Sequence, residues 1–486
     1  MNPILRDPSL FKQHAYASGV WKKASDSSAL EVRDPADGLP LGSVPALSAR
    51  EVVEAIGAAH QAMAAWSRET AARRSAILRR WFELITANTD DLAAILTAEQ
   101  GKPLAEARVE VAYGASYIEW FAAEAVRIEG EIIPSPSADK RVLVMKEPVG
   151  LCAAITPWNF PIAMITRKVA PALAAGCAIL VKPAPQTPFS ALALAELALL
   201  AGLPAGLFSV LTGEASVIGP EFTRSPLIRK LSFTGSTAVG KKLISDSAST
   251  VKRVTMELGG NAPFLVFEDA DLEAAVEGLM ASKFRASGQT CISPNRILLH
   301  RSVAERFTQL LLPAVEGLKV GPGTLDGVDQ GPLIDEAAVA KVERVIGDAV
   351  SKGAVILAGG KRHALGGTFF EPTILTRCST VMEVARVEIF GPVIPIFTFS
   401  TDEEAIRLAN ATDAGLAAYF YSKDLSRVWR VAGALEYGMV GVNTGMLSNA
   451  VAPFGGIKES GYGWEGSRHG IEDYLTMRCV CMGGLG

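Results

Sequence analysis

The chain has 486 residues, a formal net charge of −4 and five histidines, with 49% hydrophobic and 20% charged residues. It is too long for one ordinary domain, apolar enough to bury large cores, and a length prior points to about three domains. No block of like charge marks a nucleic-acid or anionic-membrane surface. No apolar run reaches the roughly 20 residues a bilayer demands, and the six scattered cysteines lack metal-ligand spacing.

The opening stretch, MNPILRDPSLFKQHAYASG, lacks the charged-then-apolar layout of a secretion signal. A soluble, cytoplasmic protein with reduced thiols is therefore expected. After an extended beginning, Ser48 and Glu51 read as a capping box opening an alanine-rich helix through about Trp66. Helical patterns follow in AARRSAILRRWFELITANTD and DLAAILTAEQG. From Lys140 the pattern turns to RVLVMKEPVG, which alternates as a strand does. Apolar β-prone runs then recur between helical segments: LCAAI, CAILVKP, LFSVLTG, KLSFTG and RVTMELGG. That alternation is the signature of a doubly wound α/β sheet, whose ligands sit at the carboxyl ends of its strands. After Gly260 a second α/β pattern begins; Leu272, Val276, Leu279 and Met280 share one helical face, with Asp269 or Asp271 as cap. Gly288 is expected to break that helix, leaving Cys291 just past its C-terminal end, where the helix dipole disfavours a thiolate.

Each chemistry-bearing loop has two readings. Gly235 and Gly240 open a helix after a strand and suit either phosphate or a plain tight turn. Lys182, in VKPAPQTP, can contact a ribose or phosphate, although a solvated strand-end lysine is the commoner case. The loop after it, with Pro185 and Gln186, supplies no acid for a ribose diol and so tolerates a 2′-phosphate. Asn159, in TPWNFP, can donate to an oxyanion or cap the helix starting near Pro161. Glu257, in MELGGN, is a general base or a surface acid. A lone loop cysteine such as Cys291 is more often inert, and His300, on an apparent strand, offers no histidine pairing.

Seven motifs in order — TPWNFP, KPA, FTGST, ELGGN, GQTC, EIFGPV and APFGG — resemble those of aldehyde dehydrogenases, over nearly the whole chain. Within that superfamily the sequence is most similar to succinate-semialdehyde dehydrogenases. The resemblance implies an α/β aldehyde dehydrogenase-like fold with a Rossmann-type doubly wound cofactor domain (1–130 and 150–258), a catalytic domain (259–450), and a bridging β-arm (131–149 and 451–486) that builds a homotetramer. It implies Cys291 as nucleophile, Asn159 and the Cys291 amide as oxyanion donors, and Glu257 as the base that activates water. Trp158, Asn159, Lys182, Pro183, Ala184, Pro185, Gly235, Ser236, Leu258, Glu388 and Phe390 would contact NADP or NAD, with NADP favoured by Pro185. Arg167, Arg285 and Ser448 would contact an acid semialdehyde, succinate semialdehyde first and glutarate semialdehyde next. A non-redox thioester hydrolase is the rival from another class. No metal is implied. Three departures stand out: Ser293 where many relatives carry a second cysteine, ARVEIFGPV for the commoner EETFGPV, and Trp464 where an arginine is usual.

Overall fold

The computed structural model describes residues 3–485; of the segments assigned above, residues 1, 2 and 486 lie outside it. Two sheets dominate. The first has eight strands, in the order Val20–Lys22, Ala15–Ala17, Phe208–Val210, Ile179–Lys182, Leu151–Ile155, Ile228–Thr234, Arg253–Glu257 and Gly461–Tyr462. Its five central strands run parallel. Chain order proceeds outward one way from Leu151–Ile155, then resumes on its other flank at Ile228–Thr234. The sheet therefore reverses between these two strands, and the crevice at their carboxyl ends is where such sheets bind ligands. The loops carrying Trp158–Asn159 and Gly235–Ser236 leave from this point.

Seven strands form the second sheet: Val355–Ala358, Thr373–Thr376, Val393–Phe399, Pro294–His300, Ala262–Val266, Ala417–Tyr421 and Met439–Val442. All pair in parallel except the edge strand Val355–Ala358. Each sheet has its own packing. One apolar cluster runs from Leu10 to Leu258 and takes in Ala450, Ile471, Tyr474 and Leu475. Two others cover the opposite faces of the second sheet. A third, three-stranded sheet joins Glu131–Ile133, Arg141–Pro148 and Leu475–Met482. Of the tail expected in the arm, only this last strand enters that sheet; Gly461–Tyr462 extends the first sheet, and Ile457–Lys458 pairs with Ala414–Gly415.

Local signals place most elements. Ser48 and Glu51 form the capping box that opens the helix Ala49–Trp66. Asp271, not Asp269, caps the helix Leu272–Lys283, its side chain accepting the Ala274 N–H at 3.1 Å. That helix does not run to Gly288. It stops at Phe284, and Ala286 and Ser287 follow in the left-handed region, with φ of 48° and 58°. Among the described residues no helix is long and apolar enough to cross a membrane.

Candidate active site

The carboxyl ends of the first sheet meet the amino ends of Ala262–Val266 and Pro294–His300 in the second. Between them lies a cavity of about 250 Å³ lined by Trp158, Asn159, Gly235, Ser236, Glu257, Leu258, Cys291, Glu388 and Phe390, with Lys341 and Met164 beside them. The first nine are all residues that the sequence points to.

Glycine makes this meeting possible at two points. A Cβ on Gly260 would lie 2.2 Å from the Cys291 carbonyl oxygen, and one on Gly288 would lie 2.2 Å from that of Gly391. The turn before Cys291 holds two non-glycine residues in left-handed geometry, each costing about 1–3 kcal/mol. Neighbours hold it there. The Ala286 N–H donates to the Glu106 carboxylate at 2.6 Å, a charge-assisted bond of about 1.5–3 kcal/mol. The Ser287 hydroxyl donates to the Gly331 carbonyl, and Gln289 Oε1 accepts the Ile334 N–H. These contacts are comparable in size to the strain they offset.

Asn159 is buried, and its side-chain amide donates to the Gln289 carbonyl at 2.9 Å. It does not cap the following helix, which starts at Ala163. Glu110 serves there instead, accepting the Ile162 N–H at 3.0 Å. One Asn159 N–H thus joins the two loops, leaving the other for an oxyanion.

Cys291 is partly exposed at the cavity wall. Burial of its sulfur, helped by Glu388 and Glu257, pushes the thiol up to about 12; Arg167 and Arg285 oppose that shift. No histidine takes part: His300 hydrogen-bonds Ser302 and the Ser400 carbonyl instead.

Glu257 is buried, and neither carboxylate oxygen has a hydrogen-bond partner among the described residues. Burial and the charge of Glu465 hold it well above the usual carboxylate range, while Arg167 and Lys168 pull it back. Its carbonyl accepts the Gly235 N–H at 3.0 Å, which ties the strand end to the neighbouring turn. Glu388 differs in having a partner. Oε1 accepts the Gly260 N–H at 3.1 Å. Burial raises its pKa to about 7 against the pull of that N–H, Lys341 and Lys283. Phe390 holds a φ of 58° and meets the Trp158 ring edge-to-face, with centroids 5.5 Å apart.

Other expected residues stand off the cavity. Lys182 is buried one strand further along, and burial draws its amine down to about 8 with Glu214 pushing back. Pro183 and Ala184 are buried behind it and Pro185 is exposed. Ser448 is half-buried and makes no hydrogen bond among the described residues. Arg167 is fully buried, ion-paired with Glu465 and 4.4 Å above the Phe454 ring. Its two terminal nitrogens find no acceptor among the described residues. Arg285 rests 4.5 Å from the Phe160 ring and 5.7 Å from that of Tyr113, and forms no ion pair among the described residues.

Sequence reasoning missed Glu465, Lys341 and Glu214, which share no motif with the residues they serve, and gave no role to Gln289, although it lies in GQTC beside Cys291. For Glu214 there was a usable signal. It follows the strand that pairs with the Lys182 strand, with Leu211 N–H bonded to the Val181 carbonyl at 2.8 Å.

A family model described as "Aldehyde dehydrogenase family" matches residues 21–480. The 3-sulfolactaldehyde dehydrogenase of Pseudomonas putida is 58% identical over 481 residues, covering 99% of both chains. The NADP(+) succinate-semialdehyde dehydrogenase GabD of Escherichia coli (strain K12) is 57% identical over 479 residues, again covering 99% of both. The crystal structure of succinate-semialdehyde dehydrogenase from Burkholderia pseudomallei superposes with a TM-score of 0.98 at 59% identity, covering 99% of each chain.

Proposed function

The chain belongs to the aldehyde dehydrogenase family, an enzyme family that works with NAD(P), and from that premise we propose that it oxidises a short acid semialdehyde, succinate semialdehyde first, to the corresponding dicarboxylic acid. The observation that carries this reading is the pair of arginines acting on Cys291: Arg167 has two buried, unpartnered nitrogens, and Arg285 sits on aromatic rings without an acid partner. A guanidinium kept that way is a ready seat for a distal anion.

The Cys291 sulfur attacks the aldehyde carbon and forms the C–S bond of a thiohemiacetal. The free Asn159 N–H and the Cys291 amide donate to the developing oxyanion. A nicotinamide held by Leu258, Glu388 and Phe390 would supply the acceptor for the hydride lost from this carbon. A thioester remains on Cys291, and Glu257 takes a proton from the water that hydrolyses it, releasing the acid and restoring the thiol. Burial and Glu465 favour the protonated carboxyl of Glu257, whereas Arg167 and Lys168 favour the carboxylate that acts as base.

Residues suited to the cofactor are present. The helix Thr237–Ser247 opens towards the cavity with Ser236 as its cap, a place that suits a pyrophosphate. Leu258, Trp158, Phe390 and Glu388 would stand around the nicotinamide and its ribose. Lys182, with Pro183, Ala184 and Pro185, would meet the adenosine ribose. Pro185 leaves room for a 2′-phosphate, whereas Glu214 adds an acid close by, which tempers the preference for NADP. We assign the homotetramer to the three-stranded arm, whose outer strand and Ile132 and Met477, 77% and 73% exposed, are left for another copy. Six free thiols suit a cytoplasmic setting.

Nicotinamide absorbance with succinate, glutarate and sulfonate-bearing semialdehydes and a neutral aldehyde of equal length, each with NAD and NADP, tests the reading. An acid semialdehyde should give the highest kcat/KM, and Cys291→Ala should abolish turnover. A neutral aldehyde matching it would sink the substrate assignment, and thioester hydrolysis without nicotinamide reduction would favour a non-redox hydrolase.

A further inference from the structure

The helix Leu104–Glu124 holds none of the reacting groups, yet two of its charged side chains, with Lys102 just before it, reach both loops. Glu106 and Glu110 are spaced four apart and lie along one face of the helix, and Lys102 precedes its first residue by two. Lys102 Nζ donates to the Asn159 carbonyl at 2.8 Å and is ion-paired with Glu110. Glu110 accepts the N–H of Ile162 at 3.0 Å, fixing the helix start beyond Asn159. Glu106 reaches the other way and accepts the Ala286 N–H at 2.6 Å. The ring of Phe160 lies 3.9 Å from Lys102 Nζ and 4.5 Å from the Arg285 guanidinium, closing the group from the side. One rigid helix therefore grips the loop with the oxyanion donor and the loop with the nucleophile. These loops come from different sheets, and the Asn159–Gln289 bond and the packing of Ala286 with Phe160 and Met164 also join them.

We propose that Glu106 is a positioning residue: by holding the Ala286 amide it sets the Cys291 loop against Asn159 and aims Arg285 at the substrate's distal anion. This rests on the roles given above to Cys291, Asn159 and Arg285. Lys102 and Glu110 complete a brace in which the oxyanion donor and the nucleophile share one support. Lys102 neutralises Glu110 within it. Glu106, with Lys102 and Arg285 as its nearest cations, spends its oxygen on the strained turn.

The test compares Glu106→Ala, which removes the acceptor, with Glu106→Gln, which keeps a carbonyl oxygen for Ala286. Rates are expressed per reactive Cys291, titrated with iodoacetamide. With the preferred acid semialdehyde, Glu106→Ala should lower kcat about 30-fold and raise KM about 10-fold, the scale of a small misplacement of reacting groups. With a neutral aldehyde kcat should fall alike while KM stays put, because Arg285 has nothing to seat there. Glu106→Gln should stay within about threefold of the parent. A purely structural role would lower the titrated fraction and the melting temperature and leave per-site kinetics intact. Wild-type per-site kinetics in Glu106→Ala, or a Gln variant no better than the Ala one, overturns the proposal. If Glu106→Ala does not fold, Glu106→Asp, one methylene too short to reach, takes its place under the same criteria. A neutral aldehyde preferred by the parent enzyme defeats the substrate reading alone, because the kcat comparison still stands.

Discussion

Cys291 stands between two regions that handle buried charge in opposite ways. On the side proposed for substrate, Arg167 and Arg285 lie over Phe454 and Phe160; Arg167 is also held by its ion pair with Glu465, whereas Arg285 forms no ion pair among the described residues. Their N–H donors stay available for an incoming anion. On the other side, Glu257 and Glu388 lie among apolar walls with few donors, and both respond by holding protons more tightly. A cation can be desolvated by a ring and remain charged. A carboxylate has no such alternative, so burial makes it a proton carrier. The difference separates a binding surface from a surface for proton transfer, and Cys291 takes its electrostatics from both.

Three experiments test that contrast, in order of effect. In the cofactor-free enzyme, burial and the two carboxylates outweigh the arginines, leaving the Cys291 thiol near 12. The thiolate fraction then rises with pH and is far from saturation at neutrality. Inactivation by iodoacetamide should accelerate about a hundredfold between roughly pH 7 and 9. A plateau within that window would mean that the arginines dominate and the contrast is drawn backwards. Next, Arg285→Leu should raise KM for the acid semialdehyde about 30-fold while leaving the KM for NAD(P) unchanged, as expected for a lost charge-assisted contact. Equal changes in both would show that the two sides are not separable. The smallest effect belongs to Glu214→Ser. Removing an exposed acid beside Lys182 should shift the kcat/KM ratio of NADP over NAD upward by about fivefold. No change would mean that Glu214 does not meet the 2′-position.

Much of this site was legible one loop at a time. Strand–helix alternation placed Asn159, Lys182, Gly235 and Glu257 at strand ends, because a period of two giving way to 3.6 depends only on neighbouring residues. The helix before Cys291 was legible in its cap and apolar face but not in its end, since Gly288 suggested a stop that Ala286 and Ser287 in fact provide. Those residues accept left-handed geometry only because Glu106, Gly331 and Ile334 hold the turn, and none is its neighbour in sequence.

The sequence by itself determined the two α/β units, the motif order that marks the family, and the identity of thiol, amide and acid. The α/β units rest on local periodicity and turn chemistry, whereas the choice of thiol, amide and acid rests on the resemblance of the ordered motifs, since each loop by itself has a second reading. Tertiary structure alone decided what those groups are worth: that burial and Glu465 raise Glu257 above the usual carboxylate range, that Asn159 bonds to the Cys291 loop and does not cap the following helix, that Arg167 is half committed to Glu465, and that Glu214 lies beside Lys182. Desolvation and Coulomb interaction act through space, and the residues that set them here come from tens to hundreds of positions away along the chain.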